Sequence, residues 1–272
     1  MNWKSLFLPV ENMGVEQARI YLEERPAADY QLLDVRQPKE YEAGHLAGAV
    51  LVPLKELPGR LGELDKEKPV IVYCASGNRS KAAAQLLIGK DFRAVYNLAG
   101  GIKAWDGRQV KGPESAGLEF FTGNEDYRDG VSLAYAMEDG LQEFYQILAD
   151  RARDDDQRRL YIRLVGFEDK HKAHLLGEYR QLHGGELTAR DLPGIMEGGR
   201  SVDDFIKRVE AMITTKRDIL ELAMMLETQA LDLYSRMAQK SGNPAARDLF
   251  LRLSDEEKTH LSFLTDELEK EL

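Results

Sequence analysis

Five side chains recur in the second half of this chain at one constant offset. Ala134, Glu138, Tyr145, Glu168 and His171 are matched 89 residues later by Ala223, Glu227, Tyr234, Glu257 and His260. A fixed internal period constrains architecture strongly, because each copy must fold as the same supersecondary unit. From about residue 128 the apolar pattern is helical, with helices expected near 128–151, 154–183, 202–211, 215–240 and 243–270. The segment Gly184–Gly199 is rich in glycine and proline and crosses between two helical pairs. Two helical hairpins joined by a long crossover predict a four-helix bundle.

Within each copy the glutamate and tyrosine are seven residues apart, nearly two helical turns, so they share a face. Ala134 and Leu141 flank Glu138 on that face, and Ala223 and Ala230 flank Glu227. A carboxylate on such a stripe is costly to bury unless it is paired or bound to metal. Glu168-x-x-His171 and Glu257-x-x-His260 each set a carboxylate and an imidazole one turn apart, again between leucines (Leu164 and Leu175, Leu253 and Leu264). Four carboxylates and two imidazoles directed into one bundle are the ligand set of a carboxylate-bridged pair of divalent ions. His174 and His183 fall outside the repeat and are read as surface residues.

The first half has another character. Gln31–Val35, Ala49–Val52, Pro69–Tyr73 and Arg93–Leu98 read as short buried strands, with helical patterns between them such as Val15–Glu24 and Arg79–Ile88. Alternating strands and helices predict a mostly parallel sheet covered on both faces. Residues 109–127, dominated by glycine, proline and polar side chains, read as a linker on which Phe120-Phe121 can dock. The charge divides in the same way: residues 1–110 carry 15 Lys and Arg against 14 Asp and Glu, whereas 111–272 carry 22 against 33. So acidic a second half argues against nucleic acid as a partner. The longest apolar run, Ala47–Leu54, is far too short to span a membrane, and the start of the chain lacks the apolar core of a signal peptide. A single cysteine excludes intramolecular disulfides and cysteine-rich metal sites, and points to a reducing compartment, the cytoplasm.

That cysteine, Cys74, directly follows the strand Pro69–Tyr73; the loop Ala75-Ser76-Gly77-Asn78 comes next, and Arg79 and Ser80 open a helix. Loop amides and a helix N-terminus lower a thiol pKa and stabilise an anion held above it. The sequence here resembles the rhodanese family through Asp34-Val35-Arg36, Glu40-Tyr41-x-x-Gly44-His45-Leu46-x-Gly48-Ala49, Cys74-x-x-Gly77-x-Arg79-Ser80 and Gly100-Gly101-Ile102-x-x-Trp105, over most of residues 1–108. The resemblance implies a sulfurtransferase in which Cys74 carries a persulfide between a small-molecule sulfur donor and a thiol or cyanide-like acceptor. It further implies that the amides of Ala75–Arg79 cradle the outer sulfur, that Arg79 orients the loop or an anionic donor, that Asp34 is structural and that Arg36 stands at the pocket edge. With four residues between Cys74 and Arg79, the loop is one residue shorter than cysteine phosphatases need.

Residues 128–272 resemble the ferritin-like superfamily and, more narrowly, the rubrerythrin group. The resemblance implies two irons per chain, with manganese or zinc as alternatives. Glu138 and Glu227 would be terminal ligands and Glu168 and Glu257 bridging ones. His171 and His260 would complete the set, with Tyr145 and Tyr234 bonding ligand carboxylates. Two departures stand out. One cysteine cannot build a rubredoxin-like centre, and Leu141 and Ala230 stand where peroxidase members carry a further glutamate. The expectation is a multi-domain chain: an α/β rhodanese-like parallel sheet over 1–108, a linker, and an all-α ferritin-like bundle over 128–272. Its expected activity is sulfur transfer coupled to a di-iron centre with a redox or iron-handling role, in a dimer. The alternative is an iron-storing or oxidant-sensing protein with a non-catalytic rhodanese module.

Overall fold

The computed structural model describes residues 9–118, 121, 123, 124, 127–183, 195, 196 and 200–271. The chain forms two compact units, Met1–Glu114 and Ser115–Leu272, so the division falls inside the segment read as a linker. Both ends of that segment are bonded into their own unit. Val110 and His45 exchange backbone hydrogen bonds of 2.9 Å, and Gly112 donates to the Glu42 carbonyl at 2.9 Å. On the other side Arg236 Nη1 donates to the Ala116 carbonyl at 2.7 Å, and Phe121 is buried edge-on against Phe250. Phe120 lies outside the described residues.

Among its described residues the first unit is a five-stranded parallel sheet of β1 (Glu11–Met13), β2 (Gln31–Asp34), β3 (Val50–Leu51), β4 (Val70–Tyr73) and β5 (Val95–Leu98). The spatial order is β1-β5-β4-β2-β3. β4 reads Val-Ile-Val-Tyr and each of its residues is 0% exposed, as a central parallel strand covered on both faces requires. Alternate side chains take opposite faces. Val70, Val72 and, one step past the strand, Cys74 pack with Ala83, Ala84 and Leu87 of α3 (Asn78–Ile88). Ile71 and Tyr73 pack with Tyr41, Leu98 and Ile102 on the other side. Burying one such aliphatic side chain is worth roughly 1.5–3 kcal/mol.

Two elements of this unit escape the sequence pattern. β1 is three residues long and begins Glu-Asn; only its parallel pairing with β5, Asn12 beside Asn97, makes it a strand. α2 (Pro38–Ala43) is six residues, too short for a helical period. It is specified instead by Pro38 in its first turn and by a capping box in which Gln37 and Glu40 each accept a backbone N–H of the other's end. Helix α1 (Val15–Glu24) falls where the pattern places it.

In the second unit α4 (Tyr127–Asp150) and α5 (Asp155–His183) form one hairpin, and α7 (Lys216–Lys240) and α8 (Pro244–Glu269) the other. The expected helices hold to within a residue or two at most ends. Asn243 caps α8 by accepting the Ala246 N–H at 3.1 Å, with Pro244 in the first turn. Thr215 and Asp218 form a capping box at the start of α7. Between the hairpins, Ile195–Met196 and Arg200–Ser201 pair as strands β6 and β7, ahead of the short helix α6 (Val202–Val209). The rest of Gly184–Gly199 lies outside the described residues.

The bundle core is divided. One apolar cluster holds Leu141, Phe144, Tyr145, Leu164, Ala223, Leu226 and Leu264. The other holds Ala134, Met137, Leu175, Ala230, Tyr234 and Leu253. On each long helix the repeated glutamate lies between a residue of the first cluster and one of the second, so the polar side chains form a layer within the core.

Candidate functional site

The first site is built around Cys74. The sulfur is buried, with the residue 1% exposed. Gly77 takes a positive φ of 93°, which favours glycine, and this conformation brings its N–H to 3.2 Å from Cys74 Sγ. Burial pushes the thiol up, but hydrogen bonding with the Ser80 hydroxyl and with the Ser80, Ser76 and Gly77 amides outweighs it and holds the thiol below its ordinary value. Gly100-Gly101 clamps the loop from beneath. Ile102 and Lys103 donate to the Cys74 and Ala75 carbonyls at 2.8 and 3.1 Å, and a Cβ on Gly101 would stand 2.3 Å from the Cys74 carbonyl oxygen. Ala75 is half-buried, Ser76 and Asn78 are exposed, and Asn78 begins α3.

Arg79 is engaged by a residue the sequence reading quoted but gave no role. Its two terminal nitrogens meet the two oxygens of Glu40, each at 2.7 Å. The guanidinium holds the Glu40 carboxyl down at about 2. Glu40 therefore caps α2 and anchors the end of the thiol loop at once. Arg36 and Asp34 form a buried bidentate pair, with Arg36 Nη2 also donating to the Gly44 carbonyl at 2.7 Å. They support the fold behind the loop, tying the end of β2 to the turn after α2.

The second site lies in the polar layer of the bundle. Glu138, Glu168, His171, Glu227, Glu257 and His260 are all buried, none more than 8% exposed. His171 Nδ1 lies 3.0 Å from Glu138 and His260 Nδ1 3.1 Å from Glu227. His171 Nδ1 is also 4.0 Å from both Glu168 and Glu257, and the imidazoles stack with centroids 4.5 Å apart. Two overlapping groups, Glu138–Glu168–His171 and His171–Glu257–His260, have ligand atoms within 4.8 Å of one another. Each tyrosine crosses to the other copy: Tyr234 donates to Glu138 at 2.6 Å and Tyr145 to Glu227 at 3.4 Å. Burial disfavours the charged form of both Glu138 and His171, but their mutual attraction prevails, lowering Glu138 and raising His171 to about 9.

This donor set fits two divalent cations. Four buried carboxylates exceed the charge two imidazolium groups can neutralise, whereas two divalent ions balance them and leave one imidazole nitrogen for each. Sequence reasoning missed two neighbours that break the symmetry. Glu256 Oε2 lies 3.2 Å from His171 Nε2, whereas the equivalent position in the first copy is Phe167, stacked on His260 at 4.7 Å. Both adjoin a repeat glutamate, and comparing positions 167 and 256 would have exposed the difference. Leu141 and Ala230 are buried and apolar. His174 is half-exposed, 3.3 Å from Glu256; the side chain of His183 lies outside the described residues.

Comparison with known proteins matches both units. The rhodanese-like domain model matches residues 18–108, and the rubrerythrin model matches residues 129–268, just over half of the chain. An uncharacterized protein of Bacillus subtilis (strain 168), YqhL, is 46% identical over 78 residues; the match spans 29% of this chain and 62% of that protein, less than two thirds of it. A rhodanese-like domain protein from Staphylococcus aureus is 26% identical, covering 38% of this chain and 98% of its own with a TM-score of 0.34. A rhodanese with anions from E. coli is 36% identical over 30% of this chain and 99% of its own, with a TM-score of 0.29. The rubrerythrin match over more than half of the chain, across the bundle in which four buried glutamates and two histidines converge, leads to one assignment: the chain belongs to the rubrerythrin family and carries a rhodanese-like domain ahead of its bundle.

Proposed function

We propose that the protein is a sulfurtransferase whose Cys74 carries sulfane sulfur as a persulfide, joined to a bundle that holds two irons per chain. The observation that carries the first part is the short loop with its amide directed at the sulfur, Gly77 N–H to Cys74 Sγ at 3.2 Å. The Cys74 thiolate attacks the outer sulfur of a small-molecule donor; a new S–S bond forms at Cys74 and the donor's S–S bond breaks, its electron pair leaving with the remainder of the donor. A thiol or cyanide-like acceptor then attacks the outer sulfur, and Cys74 departs as thiolate, so the cycle needs no external oxidant or reductant. The loop amides stabilise the anionic sulfur in both steps. Wild-type protein is expected to release thiocyanate from thiosulfate and cyanide, and Cys74→Ala to release none; equal rates overturn the proposal.

The buried carboxylate–histidine layer supports the second part. Iron bound there would supply redox or iron-handling chemistry, while Tyr145 and Tyr234 hold the Glu227 and Glu138 carboxylates in place. Metal analysis after iron loading is expected to find about two ions per chain, reduced by Glu168→Ala. Less than one ion, unchanged by that substitution, rejects the site. A second reading is favoured by the 1% exposure of Cys74: an inert rhodanese module beside an iron-storing bundle. It predicts full iron loading with no thiocyanate release. Assembly as a dimer is part of the proposal and is read by sedimentation.

A further inference from the structure

Behind Cys74 runs a chain of hydrogen bonds that ends in solvent. Ser80 Oγ lies 3.4 Å from Cys74 Sγ and 2.6 Å from Asn97 Oδ1, and Asn97 Nδ2 lies 2.8 Å from Asn12 Oδ1. Ser80 and Asn97 are buried at 0% and 4% exposure, whereas Asn12 is exposed on the edge strand β1, outside the rhodanese-like match. A serine hydroxyl has one proton. When Ser80 donates to Asn97, it can only accept from the Cys74 S–H, and the chain holds the neutral thiol. Turning both amides over exchanges their oxygen and nitrogen atoms at almost no cost in shape. Asn12 then donates to Asn97, Asn97 to Ser80, and Ser80 to an anionic sulfur. The same heavy-atom positions thus serve two proton arrangements.

We propose that Asn97 and Asn12 are positioning residues which set the direction of the Ser80 hydroxyl and so let one loop hold Cys74 both as thiol and as anion. The inference deepens the sulfur-transfer reading, because a sulfur carrier must leave and regenerate its thiolate on every turnover. Other groups near the sulfur do not reverse in this way. Arg79 on α3 is fixed by Glu40 of α2, Asp34 at the end of β2 and Arg36 just beyond it are paired with each other, β5 presents the neutral Asn97, and Lys103 is exposed.

The test uses Asn12→Asp, an exposed substitution that can only accept. It forces Asn97 to turn its nitrogen toward position 12 and its oxygen toward Ser80, which locks the thiol arrangement. Cys74 is the one cysteine in the chain, so iodoacetamide alkylation against pH reads it alone. The ultraviolet thiolate absorbance, taken as the difference from Cys74→Ser, reads the same midpoint without needing reagent access. Asn12→Asp is expected to raise that midpoint by about one pH unit, roughly the loss of one hydrogen bond to a charged group. Ser80→Ala is expected to raise it similarly, and Asn12→Asp to add little in the Ser80→Ala background. An unchanged midpoint in Asn12→Asp overturns the inference. So does a shift that persists in full without the Ser80 hydroxyl, since that is a through-space effect of the new charge. Neither readout uses a sulfur donor: a shifted midpoint without thiocyanate release rejects only the transferase reading, and release with an unshifted midpoint rejects only the relay.

Discussion

Both terminal nitrogens of Arg79 are taken by Glu40, which ties the end of the thiol loop to α2. Nothing local marks that role for Glu40. It stands 39 residues from Arg79 in sequence, on a helix too short to carry a period. With both side chains 36% exposed, the pair contributes at most about 1 kcal/mol after solvent screening. Its pH dependence is specific. A carboxyl held at about 2 in the folded state adds stability above the ordinary glutamate value, and loses it as pH falls through that range. Wild type is therefore expected to exceed Glu40→Gln by a constant margin near neutrality, shrinking to nothing as the pH approaches about 2. Urea unfolding across pH measures the margin; one that grows on acidification contradicts the assignment. Asn97 is hidden for the same reason as Glu40, because its partners lie 17 and 85 residues away.

At the scale of elements, legibility follows length and periodicity. The long helices α4, α5, α7 and α8 repeat their apolar positions over several turns, enough to establish a period. β4 is legible because a fully buried strand is apolar throughout. β1, α2 and the β6–β7 pair are too short to carry a period, and each is set by pairing or capping. The caps themselves are testable. Asn243→Ala removes the acceptor from the Ala246 N–H at the start of α8, the helix that bears Glu257 and His260. The expected cost is about 1 kcal/mol, read as a lower urea midpoint with an unchanged slope. A midpoint equal to wild type would mean that water replaces the cap without loss.

At the scale of the whole molecule, each unit has its own core and its own candidate site. Among the described residues no helix is long and apolar enough to cross a membrane. The bundle's polar layer interrupts its core, so its stability depends on what neutralises four buried carboxylates. Ligand binding to the folded state alone raises stability with concentration. Iron loading is expected to raise the melting temperature of wild type by several degrees and leave Glu168→Ala nearly unmoved, as followed by calorimetry. Equal shifts in both proteins would place the stabilising metal elsewhere.

By itself, the sequence determined the two fold classes, the strand and loop that present Cys74, and the glutamates and histidines that converge in the bundle. Each of these is written in local spacing: an apolar run ended by a glycine-bearing loop, or a pattern repeated at 89 residues. Tertiary structure decided which neutral and surface-type residues serve those sites. Glu40 on Arg79, Asn97 and Asn12 behind Ser80, and Glu256 opposite Phe167 owe their roles to packing. A hydrogen bond or ion pair depends on a few ångströms of distance, and separation along the chain does not encode that distance.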